Sequence, residues 1–141
     1  MSNIDKALEI SCKTHSGQID KGGEPYILHP LRLMLKFQDE ESRIVAVLHD
    51  AIEDGEITTQ HLEQAGFSEK IILAIECLTK KTGESYDDFL SRIIDNDLAR
   101  RIKIEDIKDN LDITRLKTID NKDLDRIKKY HNALARLQKS T

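Results

Sequence analysis

Apolar residues recur along the chain at spacings of three and four, and alternation of period two scarcely occurs, so the pattern predicts helices throughout. Ile4, Ala7 and Leu8 open an amphipathic helix that should end near Gly17. The turn-forming run KGGEP follows. Pro30 disfavours helix at His29, so the Pro25-Tyr26 segment is expected to be extended, with Pro30 in the first turn of a helix carrying Leu31, Leu33, Met34, Leu35 and Phe37. The acids Asp39 to Glu41 open another helix, expected to run to about Asp54 and stop at Gly55. Thr58 or Thr59 can cap a short helix ended by Gly66, Ser68 can cap EKIILAIECL, and Ser85 can cap YDDFLSRIIDN beyond the polar loop KKTGES. A further helix carries Ile102, Ile104, Ile107 and Leu111. The last, Lys122 to Lys139, places Leu124, Ile127, Ala133, Leu134 and Leu137 along one stripe. The fold class expected is all-α, a single compact helical bundle over residues 1–141, with no repeat or linker to divide it.

Composition narrows the function classes. The chain has 141 residues, 38% hydrophobic and 34% charged, which suits one globular domain with a real core. No signal-like start and no bilayer-length apolar run is present, so a cytoplasmic protein with no membrane partner is expected. Cys12 and Cys77 stand far apart in apolar helical contexts and are expected to be buried free thiols in a reducing compartment. A net charge of −4 with interleaved signs, and few aromatic residues for base stacking, argue against a nucleic-acid partner.

The stretch AVLHDAIEDGEITT then stands out, because four ionisable or metal-binding groups follow the apolar run Ile44 to Leu48. On a helix, consecutive residues are about 100 degrees apart, so His49 and Asp50 can lean toward one point beside it, while Glu53 and Asp54 share their faces one turn on. An imidazole and a carboxylate together suit a divalent ion. Taken alone, an HD dipeptide reads as a hydrogen-bonded pair at a helix end. Two further candidate ligands lie among apolar neighbours: His29 in PYILHPLRLML and Asp106 in RIKIEDIKDNL, with Asn110 four residues beyond Asp106. His61 and His131 are expected to be exposed, and His15 to cap or pack at the end of the first helix.

Taken in order, HSGQIDKGGEPYILHPLRL, VAVLHDAIED with TT just after, CLTKKTGESYDDF and IKIEDIKDNL resemble the HD hydrolase domain of the RelA/SpoT alarmone enzymes, and more closely the stand-alone small alarmone hydrolases. The resemblance covers roughly the first four-fifths of the chain. It implies four metal ligands, His29, His49, Asp50 and Asp106, with manganese the usual ion. It also implies an acidic pair, Glu53 and Asp54, that orients or deprotonates the attacking water, and a pocket asparagine at Asn110. The implied reaction removes the 3′-pyrophosphate of guanosine tetra- or pentaphosphate, the chemistry of the stringent response, with a nucleotide as the small-molecule partner. With about thirty residues left after Asn110, hydrolysis alone is expected, without a synthetase half.

The chain departs from the family pattern near the base. Asp20, Lys21 and Gly22 stand where Arg-Lys-Ser is usual, which puts an acid at the base-binding edge. The usual DRLHN is replaced by DIKDN, and the expected pocket threonine is Ile113, with Thr114 beside it. Lys21, Tyr26, Lys80, Lys81 and Tyr86 remain candidate substrate contacts. These departures leave two alternatives: an HD phosphohydrolase of another nucleotide or a dinucleotide, or a catalytically silent HD domain that binds a nucleotide or partner. Retention of the ligands and of the acidic pair argues against the silent domain.

Overall fold

The computed structural model, which describes residues 3–54 and 56–139 but not the Asp54 side chain, puts the apolar run Ile44 to Leu48 at the centre of the molecule. A helix that is apolar on all sides must be covered on all sides. The helices are α1 (Ile4–Thr14), α2 (Leu28–Met34), α3 (Glu40–Leu48), α4 (Ala51–Asp54), α5 (Thr59–Gln64), α6 (Glu69–Cys77), α7 (Tyr86–Ile94), α8 (Asp97–Asn110) and α9 (Asn121–Lys139), with a 3-10 turn at Ile113–Arg115. The packing of α1, α2, α6 and α8 around α3 supplies the cover, and α9 closes over α7 and α8. Among the described residues there is no strand, only a lone bridge between Ile19 and Pro25. The all-α expectation holds. No helix of the described residues is long and apolar enough to cross a membrane.

Side-chain caps fix where most of the helices begin. The Thr58, Ser68 and Ser85 hydroxyls accept from the amides of His61, Ile71 and Asp88, and Asp39 and Asn96 do the same for Ser42 and Ala99. Each cap satisfies a donor that the helix cannot satisfy itself. Thr58 rather than Thr59 is the cap of α5, and Gly66 ends that helix with φ of +90°.

Four expectations need correction. The helix expected from Asp39 to about Asp54 is two helices, interrupted at His49 and Asp50; Gly55 lies outside the described residues. His49 Nδ1 lies 2.7 Å from the Ala46 carbonyl, an acceptor that a continuing helix would have used for its own ladder. Helix, expected to be disfavoured at His29 by the proline after it, begins before that residue and places it in the first turn of α2. Backbone bonds from Leu28 to Pro25 and from His29 to Tyr26 turn the chain there, and tertiary bonds to the imidazole hold it. Both cysteines are free, but Cys12 is exposed and Cys77 half-buried. Leu124 also departs from the expected stripe of α9, being 53% exposed near the start of that helix.

The loop between α1 and α2 is tied to itself. Asp20 N donates to the Glu24 carbonyl at 2.8 Å and Tyr26 N to the Gln18 carbonyl at 2.9 Å, while Asp20 Oδ1 accepts from the amides of Gly22 and Glu24, both at 2.9 Å. A Cβ at Gly22 would come within 3.0 Å of the Arg115 carbonyl, so this loop lies close against the segment after α8.

Ile75 is fully buried on α6 whereas Leu73, two residues earlier, is 46% exposed. Ile75→Ala is expected to cost about 2–5 kcal/mol in urea unfolding, and Leu73→Ala about 0.5 kcal/mol or less. Similar losses for both would contradict the burial pattern.

Candidate metal centre and adjoining cavity

Three elements meet at the C-terminal end of α3. That end supplies His49 and Asp50, the first turn of α2 supplies His29, and the middle of α8 supplies Asp106. His29, His49 and Asp106 are buried, and Asp50 nearly so. One ligand atom from each of His29, His49 and Asp50 falls within 4.8 Å of the others. Asp106 Oδ1 adjoins both imidazoles, 2.8 Å from His29 Nε2 and 3.5 Å from His49 Nε2. The structure therefore brings together all four residues expected to hold the ion.

The hydrogen bonds aim these groups inward. With Nδ1 donating to the Ala46 carbonyl, the neutral form of the His49 ring turns the lone pair of Nε2 into the cluster. That Nε2 is buried and has no hydrogen-bond partner, although Asp50 Oδ2 lies 3.1 Å away. An imidazole nitrogen facing carboxylates is an arrangement that a divalent cation completes once the ring gives up its proton, and the N/O donor set suits manganese, iron or zinc. Tyr26 OH donates to Asp50, Asn110 Nδ2 donates to Asp106 Oδ1 at 3.1 Å, and Lys103 Nζ donates to Asp106 Oδ2 at 2.8 Å.

The titration behaviour follows from this crowding. Burial alone would lower the pKa of both imidazoles, yet Asp106 and Asp109 raise that of His29, and Asp50 and Asp106 raise that of His49 well above its ordinary value. Burial opposes ionisation of Asp50, but His49 and Tyr26 bring its carboxyl down to about 2. Asp106 is likewise held well below the usual range against its burial, by Lys103 and the two imidazoles.

A cavity of about 290 Å³ opens beside the cluster, walled by Tyr26, His29 and Asn110 together with Lys21, Arg32, Arg115, Arg126 and Tyr130. Asp20 and Asp112 also line it, so four cationic side chains face two acids. The wall thus reverses the sign of the whole chain, whose net charge is −4.

The remaining candidates divide. Lys21, Tyr26 and Asn110 line this cavity, whereas Lys81 and Tyr86 do not. The exposed Lys81 hydrogen-bonds Glu84 through its backbone amide, and the Lys129 ammonium lies 4.1 Å above the Tyr86 ring, whose hydroxyl is buried without a partner. Glu53 is exposed on α4 and its Oε1 accepts from the Lys80 amide at 2.7 Å; the Asp54 side chain lies outside the described residues. Asp20 lines the cavity while its Oδ1 caps its own loop. Ile113 and Thr114 are not among the lining residues either, for the 3-10 turn instead offers Asp112, Arg115 and Leu116 to the cavity.

No family model matches the chain. In sequence it is 31% identical over 120 residues to a guanosine-3′,5′-bis(diphosphate) 3′-pyrophosphohydrolase of Aquifex aeolicus, covering 77% of this chain and 17% of that protein. It is 40% identical over 82 residues to a protein of the same name from Borreliella burgdorferi, covering 55% of this chain and 12% of the relative. The chain thus spans less than a fifth of the length of these relatives. In structure it matches a metazoan ortholog of SpoT described as hydrolysing ppGpp, with a TM-score of 0.76 at 19% identity, over 95% of this chain and 84% of that one. The chain has the HD fold of the RelA/SpoT-like hydrolases. Within that fold, residues at the centre that the sequence pattern did not single out are Lys103, Asp109, Arg32 and Arg115. Lys103, Asp106 and Asp109 do stand at successive three-residue steps on α8, the spacing of one helix face, and that spacing is the available signal.

A pH dependence follows for the metal-free protein. His29 and His49 are raised above 6.5, so their protonated forms stabilise the fold fully below about that pH, and the contribution is lost as pH rises through the folded values. Asp50 and Asp106 are lowered below 3.8, so their contribution is present above it and lost only as pH falls through their folded values. Thermal unfolding in chelator is therefore expected to show a falling midpoint on the alkaline side, and an added divalent ion, which takes unprotonated imidazoles, is expected to remove that fall. Identical alkaline profiles with chelator and with ion would contradict the assignment.

Proposed function

We propose that residues 1–141 act as one HD-type metal-dependent phosphohydrolase domain, with His29, His49, Asp50 and Asp106 as ligands of a manganese ion. The proposed substrate is guanosine tetra- or pentaphosphate, hydrolysed at its 3′-pyrophosphate, and the setting is cytoplasmic. The observation that carries the metal reading is the buried, unpartnered His49 Nε2 among carboxylates. The names of the sequence relatives and of the structural neighbour support the choice of substrate.

A divalent ion bound there acidifies water and offsets charge on a phosphoryl oxygen. The chain's own groups do the rest. Tyr26 and Asn110 hold the Asp50 and Asp106 carboxylates in place, and the cationic side chains of the cavity attract a polyphosphate into a site on an otherwise acidic protein. Glu53, held through Oε1 by the Lys80 amide, and Asp54 orient the attacking water, with Glu53 taking its proton as general base.

A second reading, hydrolysis of another nucleotide or dinucleotide, rests on one observation: an acid, Asp20, lines the cavity at the position where the family pattern places a cation for the base.

Metal-stripped protein offered a panel of nucleotides, with and without manganese, separates the readings. Manganese-dependent pyrophosphate release from guanosine tetraphosphate is expected; release from another nucleotide alone would favour the second reading, and silence across the panel would contradict both. Asp106→Ala is expected to lose metal and turnover together, and Glu53→Ala to keep the metal while turnover falls about a hundredfold or more. Undiminished turnover in Glu53→Ala would remove the role given to that carboxylate.

A further inference from the structure

The two imidazoles of the centre are oriented by different means. His49 leans on the Ala46 carbonyl, a backbone group that no side-chain substitution removes. His29 leans on a side chain: its Nδ1 lies 2.6 Å from Asp109 Oδ2, on the opposite side of the ring from Asp106 Oδ1 at Nε2. Asp109 is itself held by a two-pronged bond, its Oδ1 and Oδ2 each 2.9 Å from Nε and Nη2 of Arg32. Arg115 Nη2 adds a donor to the Asp109 backbone carbonyl at 2.6 Å and stands 3.4 Å from Oδ2. A planar fork of this kind fixes the plane of the carboxylate, and the carboxylate in turn fixes the ring it faces.

We infer that Asp109 is a positioning residue for the metal centre, keeping the His29 proton on Nδ1 so that Nε2 offers its lone pair to the ion, and that Arg32 and Arg115 brace it from the cavity wall. The inference rests on the metal reading above. An ionised carboxylate only accepts, so at 2.6 Å it selects the N–H form at Nδ1. The two nitrogens of an imidazole face away from each other, so Asp109 cannot reach an ion held at Nε2 and acts only through the ring. Carboxylates in this position behind a ligating histidine raise its basicity and set its orientation. Because Arg32 and Arg115 also line the cavity, one acid joins the cavity wall to the ligand set.

Two readouts on the full chain test this: the tautomer of His29 in metal-free, nitrogen-15-labelled protein held at alkaline pH, where the ring carries a single proton, read from long-range proton–nitrogen correlations, and manganese affinity by calorimetry in the absence of nucleotide. Asp109→Ala is expected to give a mixed His29 tautomer and manganese binding about 10- to 100-fold weaker. Asp109→Asn, whose amide oxygen can still accept from Nδ1–H, is expected to fall between Asp109→Ala and wild type, and it serves as the test if the alanine variant does not fold. Asp112→Ala, which removes another acid paired with Arg115 but touches neither imidazole, is expected to keep the wild-type tautomer and manganese affinity. Wild-type tautomer or affinity in Asp109→Ala, with Asp109→Asn also unchanged, would overturn the role of Asp109 and leave the metal reading standing. An equal loss in Asp112→Ala would overturn it too, as a general effect of charge. A wild-type protein that binds no manganese would overturn the metal reading, and this inference with it.

Discussion

Three carboxylates, Asp50, Asp106 and Asp109, converge on two imidazoles at the end of the most buried helix, and two cations, Lys103 and Arg32, pair with them at hydrogen-bond distance. Arg115 approaches Asp109 as well, but it also pairs with Asp112. With neutral imidazoles the knot is short of positive charge, and a buried charge left uncompensated costs several kcal/mol. The deficit can be met by protons on His29 and His49 or by a divalent ion among them. The raised values of both imidazoles are the first solution, and the unpartnered Nε2 of His49 is the opening for the second. Either way, the fold must keep water out and hold the donors still.

The architecture meets both demands by placing the knot where α2, α3 and α8 meet. The core around α3 excludes solvent, and the interruption after Leu48 turns the His49 and Asp50 side chains toward α2 and α8 instead of carrying them along one helix face. The loop before α2 is drawn tight by its own hydrogen bonds, which sets the distance from Tyr26 to Asp50 and from His29 to Asp106. Substitutions in that loop are therefore expected to reach the centre through the position of α2, even where the changed residue touches nothing in it. Asp20 illustrates the point, because its carboxylate shapes the loop.

The helices and most of their caps were legible in the sequence because they depend on neighbours: period, Ser and Thr before apolar runs, glycine after them. The interruption at His49 was not legible, since it arises from a side chain taking a backbone acceptor, a competition that periodicity does not register. Helix at His29 was not legible for a related reason, as tertiary bonds to Asp106 and Asp109 outweigh the local effect of Pro30. His29, His49, Asp50 and Asp106 were legible as a set through the ordered resemblance; spacing alone supported only the HD pair. Arg32 and Asp109 escaped because their bonds join positions far apart in the chain. Lys81 and Tyr86 stood as candidate substrate contacts, and the wall of the cavity is made instead by Arg115, Arg126 and Tyr130.

The claim on which the rest depends is that the knot is a cation site, and the most direct measurement is anomalous diffraction from crystals grown with manganese. The account predicts one strong peak at bonding distance from Nε2 of His29, Nε2 of His49, Asp50 and Asp106, with Asp109 still behind the His29 ring. No peak there, or a peak only elsewhere on the surface, would contradict it.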